Sequence, residues 1–342
     1  MHYYLVTCFN NEAYIDDAID SIRRQYVTLD DFYREALVLI VDDASTDSSP
    51  VKLRALTARH RNILAYENPR NLGIGRNRNF LLDWLSAMPL APTDFVLFLD
   101  GDDLLAKDHI ANKMSFFGLE PGLEVVGGQL ELFYEDGSDA HRVESFSFDP
   151  EVQAIAHMFE CHFYVSNAMF RASVFMKPGV RFPETSLGED WLFFAMHPLK
   201  KRHAPVVTLH YRRHTRNATR ANSGADQAVR RQIRHLAHRL GALRMGLVLS
   251  DRECELMDLV GYLTFKFVMV GGQPMSSASY MPWFEFLAEQ ESVVANWAAT
   301  SQELDSLFKR MLDCNDRIQA YNPRKLATFL NQMLTLADHA VQ

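Results

Sequence analysis

The sequence predicts an α/β domain on a mostly parallel sheet, followed by a helical region. Three observations lead there. The first ~115 residues alternate strand-like apolar runs with helix-like segments, the signature of βαβ units. Two of the apolar runs end in clusters of carboxylates, and the carboxyl ends of strands are where open α/β sheets bind their ligands. From Ala221 onward apolar residues recur at helical spacing only, with breaks at Ser250-Asp251, Gly271-Gly272-Gln273-Pro274 and Asn322-Pro323.

Each element has its own reason. Tyr3–Thr7 is the first apolar strand. Tyr14–Gln25 carries Ile15, Ala18, Ile19 and Ile22 on one helical face. Ala36–Val41 is the second strand and runs into Asp42-Asp43-Ala44-Ser45-Thr46-Asp47, a cluster suited to a turn and a helix N-cap. Val51–Arg59 is the helix that follows, and Asn62–Tyr66 is a short strand. Gly73 and Gly75 precede a helix that reaches Leu85. Phe95–Leu99 is wholly apolar, as a strand covered on both faces should be, and it runs into Asp100-Gly101-Asp102-Asp103.

The pattern then changes. Leu123–Phe133 and Arg142–Phe148 are strand-like around a turn at Glu135-Asp136-Gly137. Pro150–Phe159 is helical and Tyr164–Arg171 strand-like. Gly188-Glu189-Asp190-Trp191 opens a short apolar helix, Leu192–Met196, which Pro198 closes; Pro205–Tyr211 is a strand. The expected organisation is a catalytic domain over 1–218, with a nucleotide-binding half (1–118) and an acceptor half (119–218), and a helical region over 219–342. Asn222-Ser223-Gly224 is the expected linker.

Composition excludes several classes. At 342 residues, 48% hydrophobic and 23% charged, the chain has material for one large core and a smaller unit. A net charge of −8 argues against non-specific nucleic-acid binding. Cys8, Cys161, Cys254 and Cys314 form no Cys-x-x-Cys pair, which disfavours a disulfide framework and fits a reducing cytoplasm. No signal-peptide pattern opens the sequence, and no apolar stretch nears the roughly 20 residues of a spanning helix. Membrane contact is therefore expected only from the surface, at the inner face.

Clustered carboxylates repel one another unless a cation joins them, and hard oxygen ligands suit Mg²⁺ or Mn²⁺. Four segments carry the chemistry. In order they are Thr7-Cys8-Phe9-Asn10-Asn11-Glu12, Val41-Asp42-Asp43-Ala44-Ser45-Thr46-Asp47, Asn71-Leu72-Gly73-Ile74-Gly75-Arg76-Asn77-Arg78-Asn79, and Leu99-Asp100-Gly101-Asp102-Asp103. Together they resemble the GT-A glycosyltransferases, in particular the inverting family 2 enzymes, over Tyr3 to Asn217. The pattern departs from the family at Asn77, where alanine precedes Arg-Asn, at Leu81, where glycine is usual, and at Thr7, in place of a proline.

The resemblance implies a GT-A fold, a nucleotide-diphosphate sugar as donor (a UDP-sugar in the first instance), and Mn²⁺ or Mg²⁺ as cofactor. It implies that Thr7, Phe9 and Glu12 line the nucleotide pocket, that Asp43 reads the base, and that Arg78 lies near the base or diphosphate. Asp102 would face the ribose and the metal, and Asp103 would hold the metal directly. Glu189-Asp190 resembles the family's Glu-Asp segment, whose aspartate is the catalytic base, with Glu189 as the alternate. His214, in Tyr211-Arg212-Arg213-His214, resembles the closing histidine that approaches the metal or diphosphate. The implied acceptor is a cell-surface glycan or lipid-linked saccharide.

Two other classes compete. A sugar-nucleotide nucleotidyltransferase would show a glycine-rich basic loop after the first strand, where this chain has Cys8-Phe9-Asn10-Asn11-Glu12. A non-catalytic sugar-nucleotide or glycan-binding module would have no need of Asp102, Asp103 and Asp190. In the helical region, Arg230-Arg231-Gln232-Ile233-Arg234-His235-Leu236 begins a basic amphipathic helix. It is read either as packing its apolar face inward or as touching an anionic surface. The region as a whole is a candidate for homo-oligomerisation.

Overall fold

The computed structural model describes residues 1–135, 141–143, 147–185, 187–214, 217, 224–269 and 295–341. The chain forms two compact units, Met1–Glu144 with Phe163–Asp226, and Ser145–His162 with Gln227–Gln342.

The first unit is built on a mixed sheet of nine described strands. Its first half alternates β1 (His2–Cys8), α1 (Ile15–Arg23), α2 (Leu29–Glu35), β2 (Ala36–Asp42), α3 (Ser49–Arg59), β3 (Ile63–Glu67), α4 (Ile74–Ser86) and β4 (Phe95–Asp100). Then follow β5 (Leu104–Leu105), α5 (His109–Leu119), β6 (Val125–Tyr134), β7 (His141–Val143), β8 (Met169–Arg171), α7 (Glu189–Met196) and β9 (Lys201–Arg213), with α6 (Pro150–Ala156) belonging to the second unit. The strand order is β3-β2-β1-β4-β8-β6-β9-β5, with β7 beside β6. Strands β1 to β4 pair in parallel; β8 runs antiparallel to both β4 and β6. The parallel half is the α/β arrangement that the alternation predicts; antiparallel pairing of β5, β7 and β8 makes the sheet mixed.

Period-2 alternation explains why the central strands are apolar throughout. Tyr4, Val6, Val38, Ile40, Leu97 and Leu99 face a core shared with Ile15, Ile22, Leu53 and Phe117. Their neighbours Tyr3, Leu5, Leu39, Val41, Val96 and Phe98 face the opposite core, with Leu81, Leu85, Phe193 and Phe194.

Three details differ from expectation. α2 was not anticipated, although Thr28 and Asp31 form a reciprocal capping box with backbone bonds of 3.1 Å each way. Tyr164–Arg171 is not one strand: Val165–Asn167 is a 3₁₀ turn and only Met169–Arg171 joins the sheet. Of Arg142–Phe148, Arg142 and Val143 are in β7, residues 147 and 148 are outside the sheet, and 144–146 lie outside the described residues. So do Asn222 and Ser223 of the expected linker, and the Gly271–Pro274 break.

The second unit is helical: α6 with α8 (Gly224–Leu243), α9 (Asp251–Met269), α10 (Trp297–Ile318) and α11 (Pro323–Val341). Residues 145–162, expected in the acceptor half, group with these helices. Ile155, Met158 and Phe159 share a core with Met257, Phe308 and Phe329. Lys325 on α11 lies 2.6 Å from Asp149, the N-cap of α6.

The charges of the basic helix are largely spent within the unit. Arg231 pairs with Glu255 of α9, and Arg234 donates its Nε to both oxygens of Asp258 at 2.8 Å. The same carboxylate meets Nε2 of the buried His238 at 3.2 Å. These pairs favour the packing role of α8. Arg234→Ala, leaving a mostly buried carboxylate short of a donor, should cost about 2 kcal/mol. Thermal or urea unfolding monitored by circular dichroism checks this; an unchanged midpoint would show the pair to be incidental. Among the described residues no helix is long and apolar enough to cross a membrane.

Candidate active site

Parallel pairing brings the motif segments to one end of the sheet. The register sets Thr7 beside Asp100 and Cys8 beside Asp42, so the loops after β1, β2 and β4 leave the sheet side by side. At Gly101 the chain passes so close to the first loop that a Cβ would stand 2.9 Å from Asn11 Oδ1 and 3.0 Å from the Thr7 carbonyl oxygen. Glycine is required between the aspartates by this approach.

The first two loops clasp each other. Asn10 accepts from the Thr46 N–H at 2.8 Å, and Glu12 accepts from the Ser48 N–H at 2.9 Å while its own N–H donates to Asp47 at 3.0 Å. Asn10 and Ala44 both take positive φ, 54° and 59°. Glu12 thus shapes the loop that Phe9, half exposed, caps.

Asp43 is buried, and its carboxylate organises the third motif. It accepts the N–H groups of Leu72 at 2.7 Å and Gly73 at 2.9 Å, and the Asn68 amide at 3.0 Å. Asn68 also donates to Asn77 at 2.7 Å. Asn77, at the position of the family's alanine, therefore completes a polar network. This support was not read from the sequence; three side-chain amides within ten residues of a glycine-bearing loop were the available signal.

Asp102 and His214 come together. His214 is buried, its Nε2 is 3.0 Å from Asp102 Oδ2, and its ring centre lies 4.8 Å from that of Tyr14, with the planes tilted by 35°. Asn217 braces the pair, accepting from the His214 N–H at 2.7 Å and directing its amide at Asp102 from 3.5 Å. An asparagine three residues after the histidine, in a turn-forming context, was the missed signal. Arg212 Nε donates to the Asp102 carbonyl oxygen at 2.9 Å, with its guanidinium over the rings of Tyr14 and Phe133.

Asp103, expected to hold the metal directly, lies beneath Asp102. It is fully buried, and its Oδ1 accepts the Arg212 N–H at 2.9 Å, fastening the fourth motif to β9. Among the described residues its Oδ2 has no hydrogen-bond partner. Burial, together with the charges of Asp102 and Asp100, holds its carboxyl well above the usual range. Its neighbour Asp102 reaches the surface, about a fifth exposed, as does Asp100.

Arg78, expected near the base or diphosphate, is 2% exposed and joins three carboxylates. Its Nη2 lies 3.2 Å from Asp100, which also accepts from the Thr7 hydroxyl at 2.9 Å; its Nη1 donates to Glu189 at 2.7 Å and to Asp190. Burial opposes the guanidinium charge, but the three carboxylates outweigh it and raise its pKa. Glu189 is pushed up to about 8 by burial and by the adjacent Asp190. Asp190 accepts the Val165 N–H at 3.0 Å on its other oxygen. Trp191, next in the helix, is buried in the core.

Among the described residues no set of three His, Cys, Asp or Glu side chains forms a metal cage. The Asp102–His214 pair offers one carboxylate and one imidazole, a donor set that Mn²⁺ accepts when substrate oxygens complete it.

A mixed sheet with carboxylates gathered at the ends of β1, β2 and β4, and a Glu-Asp pair at the start of α7, defines the GT-A class of nucleotide-sugar-dependent transferases. The comparisons with known proteins agree. The Glycosyl transferase family 2 model matches residues 4–178. The chain belongs to glycosyl transferase family 2.

Among its relatives, EpsH of Bacillus subtilis is 27% identical over 220 residues, covering 61% of this chain and 60% of EpsH. The poly(ribitol-phosphate) beta-glucosyltransferase of Bacillus spizizenii is 24% identical over 203 residues, covering 55% of this chain but only 28% of that enzyme. The chain thus spans less than two thirds of the length of each of these relatives. In three dimensions it resembles S. aureus TarS 1–349 in complex with UDP-GlcNAc, with a TM-score of 0.57 and 16% identity over 98% of this chain and 90% of that one. It also resembles the mannosyltransferase PcManGT of Pyrobaculum calidifontis in complex with GDP-Man and Mn²⁺, with a TM-score of 0.53 and 18% identity over 99% and 86%.

Proposed function

We propose that this protein transfers a sugar from a UDP-sugar to a hydroxyl of a cell-surface polymer, with inversion at the anomeric carbon. The observation that carries the reading is the paired arrangement of Asp102 with His214 on one side and Asp190, held by Arg78 and the Val165 N–H, on the other. Family membership and relatives named for teichoic acid synthesis support the acceptor class.

In this reading Asp43 keeps acceptor capacity on Oδ2 for an N–H of the base, while Thr7, Phe9 and Glu12 shape its pocket. Asp102 and His214 would hold the divalent ion; Asp103 supports them from within. When bound, that ion neutralises the diphosphate leaving group as charge develops on it. Asp190 takes the proton from the incoming hydroxyl, whose oxygen attacks the anomeric carbon from the side opposite the departing diphosphate. The second half of the site would hold the acceptor. The helical unit's part in assembly is a further expectation of this reading, with a homo-oligomer as its testable form.

A thermal-shift panel of nucleotide diphosphates with and without Mn²⁺ tests the donor side. A ligand that binds only the folded state stabilises it by about 2.7 kcal/mol at 100-fold over its dissociation constant. A rise in midpoint with UDP and Mn²⁺ together is the expected result. A rise with GDP alone would overturn the UDP assignment, and no rise with any nucleotide would favour a glycan-binding module. A nucleotidyltransferase would instead form a sugar nucleotide from a sugar phosphate and UTP.

A further inference from the structure

Arg78 sits where the family pattern leads one to expect a donor contact, yet its contacts run to the other half of the site. The whole opening of α4 does the same. At Gly75 a Cβ would stand 2.2 Å from the Pro183 carbonyl oxygen, so the helix lies directly against the segment that leads to Asp190. Arg76 pairs with Glu184 at 2.8 Å. Asn79 and Phe182 exchange two hydrogen bonds, both 2.9 Å, in the manner of paired strands. The Arg78 guanidinium lies 5.5 Å from the Phe182 ring centre. Four of five consecutive residues of the third motif thus fasten the approach to α7.

We propose that Arg78 is a positioning residue for the catalytic base: it aims the Asp190 carboxylate by a direct ion pair, and links it to the donor side through Asp100 and Thr7. The geometry leaves few alternatives for the guanidinium. Its Nη1 is shared by Glu189 and Asp190, and its Nη2 is taken by Asp100. Among the described residues the groups facing Asp190 are Arg78 from α4, Asp100 from the end of β4, Glu189 from its own helix, and the Val165 N–H from the 3₁₀ turn. Arg78 is the cation among these. A planar fork can serve all three carboxylates at once; a lysine ammonium of the same charge cannot hold them in the same plane.

The inference rests on the transferase reading and refines it. Its test compares wild type, Arg78→Lys and Asn79→Ala in two assays: UDP binding with Mn²⁺ by calorimetry, and UDP release from a panel of UDP-sugars across pH. The expected result for Arg78→Lys is UDP affinity within about threefold of wild type, kcat lowered about 100-fold, and the acid limb of the kcat profile moved to higher pH. Asn79→Ala keeps every charge and should lower kcat in the same direction, by about tenfold, with UDP binding unchanged.

Loss of UDP affinity in Arg78→Lys with kcat preserved would return Arg78 to the donor pocket and overturn the proposal. An Arg78→Lys profile of unshifted pH dependence would reduce it to a structural arginine. If Arg78→Lys is insoluble, Asn79→Ala decides: wild-type kcat in that variant sinks the proposal. A wild type that neither binds UDP nor turns over any sugar nucleotide would overturn the transferase reading itself, a distinct failure.

Discussion

Asp102→Asn should abolish the Mn²⁺-dependent stabilisation by UDP, while Asp103→Asn should keep most of it. The two residues are adjacent and chemically identical, but the fold gives them opposite surroundings. Asp102 reaches the surface beside His214 Nε2. Asp103 is enclosed, and the bond it makes, from the Arg212 N–H to Oδ1, survives in asparagine because the amide oxygen accepts equally well. A lost metal ligand removes the linkage between nucleotide, metal and folded state, so the midpoint shift at saturating UDP should vanish for Asp102→Asn. His214→Ala should weaken the shift without removing it. Differential scanning fluorimetry with UDP, with and without Mn²⁺, reads all three. A shift retained in Asp102→Asn and lost in Asp103→Asn would restore the metal to Asp103.

Asp190→Asn should lower kcat by about 10²–10⁴ with UDP affinity unchanged. The substitution removes the proton acceptor yet keeps an oxygen for the Val165 N–H, so the turn that positions it need not move. Glu189→Gln should be far milder. Burial beside Asp190 pushes the Glu189 carboxyl up to about 8, toward the neutral form that glutamine resembles. The same displacement sets a sign for stability. A carboxyl whose folded value lies above its unfolded one stabilises the fold below the unfolded value and loses that contribution as pH rises through about 8. Glu189→Gln should therefore flatten the decline of the melting temperature between mildly acidic and mildly alkaline pH. Equal losses of kcat in Asp190→Asn and Glu189→Gln would mean that the pair acts as one unit and that neither is the base alone.

The α/β alternation, the carboxylate clusters at strand ends and the Glu-Asp pair at a helix start were legible because they are local. Strand hydrophobicity and turn chemistry depend on neighbours within a few residues, and the parallel pairing of consecutive βαβ units follows from their order. The short pieces were less legible. The 3₁₀ turn at Val165–Asn167 interrupts an apolar run because Asn167 is drawn into bonds with the Gly128 and Gln129 carbonyls, some forty residues away.

What the sequence by itself determined is which segments would meet at one end of the sheet: the carboxylate-bearing loops that follow β1, β2 and β4. What only the tertiary structure decided is how they divide the work. Whether Asp102 or Asp103 faces outward depends on the β5–β9 pairing that sets the Arg212 N–H against Asp103. Whether Arg78 reaches a ligand or a carboxylate depends on the packing of α4 against the segment before α7, more than a hundred residues later. Charge and hydrogen-bond capacity are written in the residue; burial and partner are set by chain segments far away, and those two decide what an ionisable group can do.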